Sequence, residues 1–301
     1  MVASGFVYNF GVHIIEAVQG KVMSDAAHRA ALAERAARAG GVVALGTFRD
    51  GIEAEAKSDK NDLVTEADRD AQLQVIATVI QEFPGATLVC EEDVEPVGVG
   101  SQFKLVEEVP ETGDAWVVDP IDGTGNYVRG LRFWGTSIAS VTHGEPVAAA
   151  TYLPALDDIY TAGPESVSLN DGPMRVSDRE DPETFIVGLN GWWPVRGGDE
   201  YASLFNSVVD RFGDVRRFGS MQGALALVAA GRLDAAFMPT TPHLWDSIAG
   251  VHMVRRAGGT ATDIHGNTWQ TDGEGLVVSN GEVHEVVVKA VQEGLHATKR
   301  V

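Results

Sequence analysis

A single cysteine, Cys90, stands in 301 residues. No intrachain disulfide can form, and the chain suits a reducing compartment. Basic residues are scarce as well: 23 against 43 acidic ones, six of them lysine, for a formal charge of −20. Nucleic acid is a poor partner for such a chain, because phosphates demand basic patches. The same charge keeps a protein soluble in concentrated salt, and we read it as the mark of a halophilic, salt-rich cytoplasm. No stretch approaches the roughly 20 apolar residues of a membrane span, so no membrane partner is expected. The opening Met1 to Gly20 lacks a basic n-region and carries Glu16, unlike a signal peptide. Internal repeats and low-complexity tracts are missing, and the eight histidines show no ligand spacing.

What remains is an ordinary globular composition, 44% apolar, long enough to bury a substantial core. Residues 1–22 read as an extension, disordered or a mis-assigned start. From Ser24, a candidate N-cap, to Phe48 the chain is Ala-rich and reads as a helix. Ile52 to Val64 reads as a polar hairpin or loop, Thr65 to about Gln81 as a second helix stopped by Phe83-Pro84-Gly85, and Ala86 to Cys90 as a short strand. Gly98 to Gly113 is a polar, acidic, exposed connection. Apolar runs between Phe133 and Ala162, broken at His143-Gly144-Glu145-Pro146 and Pro154, suggest an antiparallel meander. Beyond it, Tyr201, Leu204, Phe205, Val208, Val209 and Phe212 recur at helical spacing before Gly213. Helices over Ser220 to Ala230, Asp246 to Ala257 and Glu282 to Glu293 alternate with strands over Leu233 to Met238, Gly259 to Thr262 and Leu276 to Ser279. The expected class is α+β: two layered α/β subdomains, 23–163 and 164–301.

One segment carries the most chemistry. The apolar run Trp116-Val117-Val118 reads as a buried strand and delivers Asp119-Pro120-Ile121-Asp122-Gly123-Thr124. Asp119 is expected at the strand's end, where open α/β sheets place their ligands. Pro120 stiffens the bend. Two carboxylates facing one point repel unless a cation lies between them. Gly123 permits close backbone approach, and Thr124 offers a hydroxyl beside the amides of a helix start. The combination suits a hard divalent cation holding a phosphate; the plain alternative is an acidic turn.

Three further segments have ordinary structural readings when taken singly. Glu91-Glu92-Asp93 follows a strand and could be a solvated turn. Asp246, in Leu244-Trp245-Asp246-Ser247, could merely match a helix dipole. Thr65 and Asp68, in Asp62-Leu63-Val64-Thr65-Glu66-Ala67-Asp68, have capping-box spacing.

Together, in this order and approximate spacing, the four segments resemble the signatures of the inositol monophosphatase superfamily of magnesium-dependent, lithium-sensitive phosphatases. The resemblance runs from about Ser24 to Glu293. It rests most on Asp119 to Thr124 followed by Asn126 and Tyr127, and on Trp245-Asp246 to Gly250 closing with Ala257-Gly258-Gly259; Asn170-Asp171-Gly172 ahead of Val176-Ser177 adds to it.

The resemblance implies a layered αβαβα sandwich and two to three Mg²⁺ ions. One ion would be held by Glu91, Asp119 and the Ile121 carbonyl, a second by Asp119, Asp122 and Asp246, and a weaker third by Glu91. It implies hydrolysis of a small phosphate monoester by metal-activated water, with Glu91 and an Asp68-oriented Thr124 as the catalytic groups. Asp122, Gly123, Thr124 and Ser220 would line the substrate, and a homodimer would be usual. Inositol-specific relatives carry an acid near Pro239, where this chain has Met238-Pro239-Thr240. Inositol 1-phosphate is therefore not expected as the main substrate; a dual activity on fructose 1,6-bisphosphate and inositol phosphates, as in archaeal members of the superfamily, leads the expectations, with histidinol phosphate and 3′-phosphoadenosine 5′-phosphate as rivals. The rival from another class is a cation-loaded assembly or regulatory protein without catalysis. Cys90 and Ile248 depart from the pattern and are expected to be packing differences, and Trp192-Trp193 to be core or a wall for a sugar ring.

Overall fold

The structure, a computed structural model, describes residues 6–50, 54–56, 63–94, 103–191 and 198–297. Helix α1 (Phe6–Thr47) is unbroken, so Ser24 lies inside it rather than capping it. No proline interrupts the residues before Ser24, and a helix once nucleated propagates through one serine. The short pair β1 (Glu55–Ala56) and β2 (Leu63–Val64) leads into α2 (Glu66–Glu82). Strands β3 (Ala86–Cys90), β4 (Phe103–Leu105) and β5 (Asp114–Asp122) come next, then the short helix α3 (Thr124–Val128). The expected meander follows as β6 (Gly135–Thr142), β7 (Glu145–Leu153) and β8 (Asp158–Ala162), with β9 (Val167–Leu169) and β10 (Gly172–Pro173) completing it.

These strands form one eight-stranded sheet in the order β10-β9-β8-β7-β6-β5-β3-β4. β4 pairs parallel to β3, so the stretch from Gly98 to Gly113 is not all connection; Phe103 supplies the apolar anchor for an edge strand. A second sheet has the order β12-β11-β13-β15-β14. It holds β11 (Ile186–Leu189), β12 (Asp214–Arg216), β13 (Ala235–Met238), β14 (Thr260–Thr262) and β15 (Leu276–Ser279). Helices α4 (Gly198–Val209), α5 (Met221–Ala229), α6 (Ile248–Arg256) and α7 (His284–Ala297) alternate with them.

Five layers result. The Ala-rich face of α1 (Leu32, Ala33, Ala36, Ala37) packs with α2 on one face of the large sheet. On its other face lie α5 and α6, which also cover the five-stranded sheet and share a core of Val117, Ala149, Leu225, Val251 and Val278. The outer layer, α4 and α7, closes the smaller sheet over Phe185, Phe237 and Val291. The α5–α6 contact is close enough that a Cβ on Gly250 would lie 2.4 Å from the Leu225 Cβ. The architecture is therefore the αβαβα sandwich expected. Among the described residues no helix is long and apolar enough to cross a membrane.

Candidate metal centre

Asp119 does not end its strand: β5 continues to Asp122, and all but its first residue are buried. Asp119 pairs with Ser137 and Asp122 with Gly135 on β6, so three steps on β5 match two on its partner. In a regular strand residues three apart point to opposite faces. The extra residue is a bulge that turns the second carboxylate back towards the first. It falls at Pro120-Ile121, where Pro120 lacks a ladder donor and its carbonyl accepts from Thr136 Oγ1 at 2.7 Å.

Asp122 is cradled from the other half of the molecule. Its Oδ1 accepts from the Met221 amide at 2.9 Å, and its Oδ2 from the Gly223 amide at 3.1 Å and from the Ser220 hydroxyl. Ser220 is the N-cap of α5, so that helix's first turn faces a carboxylate, as its dipole favours. Gly123, at φ 95°, fits under this turn: a Cβ there would lie 3.0 Å from the Gly219 carbonyl oxygen.

Asp246 arrives on the turn before α6, which starts at Ile248 with Ser247 as N-cap, two residues later than periodicity suggested. Gln222 on α5 holds that turn: its amide donates to the Trp245 carbonyl at 2.5 Å and accepts from the Gly250 amide at 2.8 Å. Carboxylate oxygens of Asp119, Asp122 and Asp246 lie within 4.8 Å of one another.

The parallel pairing of β3 with β5 matches Cys90 with Val118, and the Glu91 amide donates to the Val118 carbonyl, so Glu91 follows the ladder beside Asp119. Gln72 on α2 fixes this segment, donating to the Glu92 carbonyl at 2.6 Å and accepting from its amide at 2.9 Å. Thr124 Oγ1 lies 3.1 Å from Asp68 Oδ1 and 3.0 Å from the Ile121 carbonyl oxygen. Asp68 Oδ2 in turn accepts from the amide and hydroxyl of Thr65.

The electrostatics are one-sided. Asp119 is buried, and no amide, hydroxyl or cationic side chain among the described residues donates to it; its near side-chain neighbour is another acid, the Glu91 carboxyl. Burial above all, then the charges of Glu91, Asp122 and Asp246, hold its pKa well above the usual carboxylate range. Burial also raises that of Asp122, against the Ser220, Gly223 and Met221 donors that lower it. A buried charge with no donor is costly unless something cationic meets it. The donors are oxygen only, without His or Cys, and fit Mg²⁺ rather than Zn²⁺. The neighbouring Cys90 thiol is pushed up to about 12 by burial and is inert.

Comparison with known proteins gives the family. Residues 25–296 match the sequence profile of the inositol monophosphatase family. The chain belongs to that family. It is 32% identical to a fructose-1,6-bisphosphatase/inositol-1-monophosphatase of Thermotoga maritima, over 79% of this chain and 86% of that protein. It is 30% identical to the Nus factor SuhB of Salmonella typhimurium, over 88% and 96%. The solved inositol monophosphatase structure from T. maritima superposes with a TM-score of 0.77 at 28% identity, covering 87% of this chain and 96% of that one.

Within this inositol monophosphatase fold, Asp119, Asp122 and Asp246 form the three-carboxylate cluster, and Glu91 lies outside it but close enough to Asp119 to raise that group's pKa. Thr124 and Asp68 lie together beside the cluster. The Ile121 carbonyl oxygen and Asp68 Oδ1 are alternative acceptors for the single Thr124 hydroxyl proton. Ser220 is 1% exposed, and its hydroxyl is committed to Asp122 and to capping α5. Trp192 and Trp193 lie outside the described residues. Sequence reasoning missed Gln72 and Gln222; a glutamine on the apolar face of a helix is the signal that could have found them, since both are fully buried.

Proposed function

We propose that the chain is a Mg²⁺-dependent phosphomonoesterase acting on a small sugar or polyol phosphate. The observation that carries this reading is the buried Asp119 carboxylate, without a donor, inside a three-carboxylate cluster. Glu91, Asp119, Asp122, Asp246 and the Ile121 carbonyl would hold two to three ions. When bound, Mg²⁺ neutralises a phosphate dianion that the bare acids would repel, acidifies water and stabilises the leaving alkoxide.

The chain's own groups do the rest. Asp68, fixed by Thr65, accepts the Thr124 hydroxyl proton and so turns a Thr124 lone pair towards the water that will attack phosphorus. Glu91, clamped by Gln72 through its neighbour Glu92, is the second proton acceptor. The Gly123 and Thr124 amides face the phosphate oxygens at the turn into α3. Ser220 acts through Asp122, holding its carboxylate in register.

Fructose 1,6-bisphosphate leads the substrate list and inositol 1-phosphate follows, because the segment at Pro239-Thr240 carries no acid for inositol hydroxyls and a T. maritima relative is named for both activities. Histidinol phosphate and 3′-phosphoadenosine 5′-phosphate are the within-family alternatives. Release of inorganic phosphate from these four esters, in high salt with Mg²⁺ or EDTA, tests the reading. Mg²⁺-dependent release is expected, fastest from fructose 1,6-bisphosphate; no release from any ester would refute it. The non-catalytic regulatory reading is favoured by one observation, the similarity to a protein named as a Nus factor, and it predicts that empty panel.

A further inference from the structure

The first turn of α5 cradles Asp122; the residues just past its other end, Ala230 to Arg232, border a cleft of about 530 Å³, walled on the other side by residues 172–179. Nine helical residues separate the two, about 14 Å along the axis, so the cleft is distinct from the carboxylate centre. Its volume lies within the usual range for small-molecule sites.

Its charge is inverted relative to the chain. Arg175, Arg179 and Arg232 line it against one acid, Asp178, in a protein where acids outnumber bases by 43 to 23. Two of these guanidinium groups are pinned from behind. Arg179 donates to Asp234, whose side chain is 2% exposed while the arginine remains 49% exposed. Arg232 donates to Asp158, 19% exposed, and to the Tyr160 hydroxyl, and is itself 49% exposed. Both arginines make these contacts through Nη1. The balancing carboxylates are thus hidden while the cationic faces stay open to solvent, and an arginine held in one orientation loses little freedom on binding a phosphate through two nitrogens. Arg175 is the most exposed of the three, at 80%, and lies 3.5 Å from Asp178, exposed to 83%. The remaining wall is apolar, with Pro173, Met174 and Val176 on the strand side and Ala230 on the helix side.

The floor is rigid. Gly231 adopts φ 66°, and a Cβ there would lie 2.9 Å from the Arg175 carbonyl oxygen and 3.0 Å from the Ser177 amide nitrogen. The segment carrying Arg175 and Arg179 is therefore seated directly on the end of α5. Asn280 secures it further by donating to the Ser177 hydroxyl and the Arg179 carbonyl.

We infer that this cleft binds a phosphorylated small molecule with an apolar body, of nucleoside monophosphate size, the phosphate lying between Arg179, Arg232 and Arg175 and the body against Pro173, Met174 and Val176. The inference goes beyond the phosphatase reading and does not depend on it.

Calorimetric titration of the full chain with AMP, in low salt and EDTA, tests it. Without divalent ions the carboxylate centre repels phosphate, so only the cleft can take up the probe. Wild type and Asp119→Asn are expected to bind AMP alike, inorganic phosphate more weakly, and adenosine more weakly still. Arg179→Gln should weaken AMP about tenfold, and the exposed Arg175→Gln by a few-fold, the range for losing a charged hydrogen bond. Arg175→Gln keeps the test valid if Arg179→Gln melts early. No uptake of AMP by wild type, uptake unchanged in both arginine variants, or uptake lost in Asp119→Asn would overturn the assignment.

Discussion

Asp119 in the eight-stranded half and Asp234 in the five-stranded half are both 1% exposed, yet their surroundings are opposite. Asp234 accepts from the Ser177 hydroxyl, the Arg179 guanidinium and the Ile186 amide. Asp119 accepts from no amide, hydroxyl or cation among the described residues, and its neighbours are three further carboxyl groups. One acid is satisfied by the fold; the other, on the function proposed above, would be satisfied by a bound cation. On that reading burial alone does not mark a functional carboxylate, and burial among other acids does.

The comparison can be broken most severely at Asp119. Asp119→Asn should lower phosphate release by at least about a thousandfold, since several kcal/mol of ion-mediated transition-state stabilisation go with it. The same variant should melt higher than wild type in EDTA at pH 8, because burial and the neighbouring carboxyl groups oppose in the folded state an ionisation that unfolding permits. The pH dependence has a definite sign. A carboxyl whose pKa is raised by folding stabilises the native state below its unfolded value and loses that contribution as pH rises through the raised one. The gap between variant and wild type in EDTA should therefore close as pH falls towards the ordinary aspartate value of 3.8, as melting curves would record.

Asp234→Ala should do the reverse. It strands the Ile186 amide and the Arg179 guanidinium and should cost about 3 kcal/mol in urea unfolding, with the turnover of the folded fraction unchanged within about twofold. Equal losses of activity in the two variants would erase the distinction drawn here.

Smaller changes sharpen it. Ser220→Ala removes a cap worth about 1 kcal/mol together with one donor to Asp122; the Mg²⁺ concentration for half-maximal activity should rise several-fold. Gln72→Ala frees the segment that carries Glu91. It should cost about 1–2 kcal/mol for two hydrogen bonds and lower kcat more than it raises KM.

Much of this site was legible beforehand because its residues are chemically loud. Asp119, Asp122 and Thr124 sit in one short motif whose paired carboxylates suggested a hard cation, whereas Glu91 and Asp246 have ordinary structural readings by themselves and entered only through the family resemblance; the alternation of elements pointed to the layered fold. What stayed hidden depends on partners far away in sequence. The bulge at Pro120-Ile121 is visible only against β6, and the role of Ser220 only against Asp122, 98 residues earlier. Gln72 and Gln222 looked like ordinary helix formers until their backbone partners at Glu92 and Trp245 were known. Ser24 misled because capping preference is local, whereas the extent of α1 is decided by the uninterrupted helix-forming stretch before it.

Mg²⁺ binding, followed by titration calorimetry on wild type and Asp119→Asn at neutral pH, tests the central claim most directly. The account predicts at least one ion bound by wild type, with heat abolished or affinity reduced more than tenfold in the variant, and a higher melting temperature for wild type alone once Mg²⁺ is present. Equal Mg²⁺ affinity in the two proteins, or none in wild type, would contradict it.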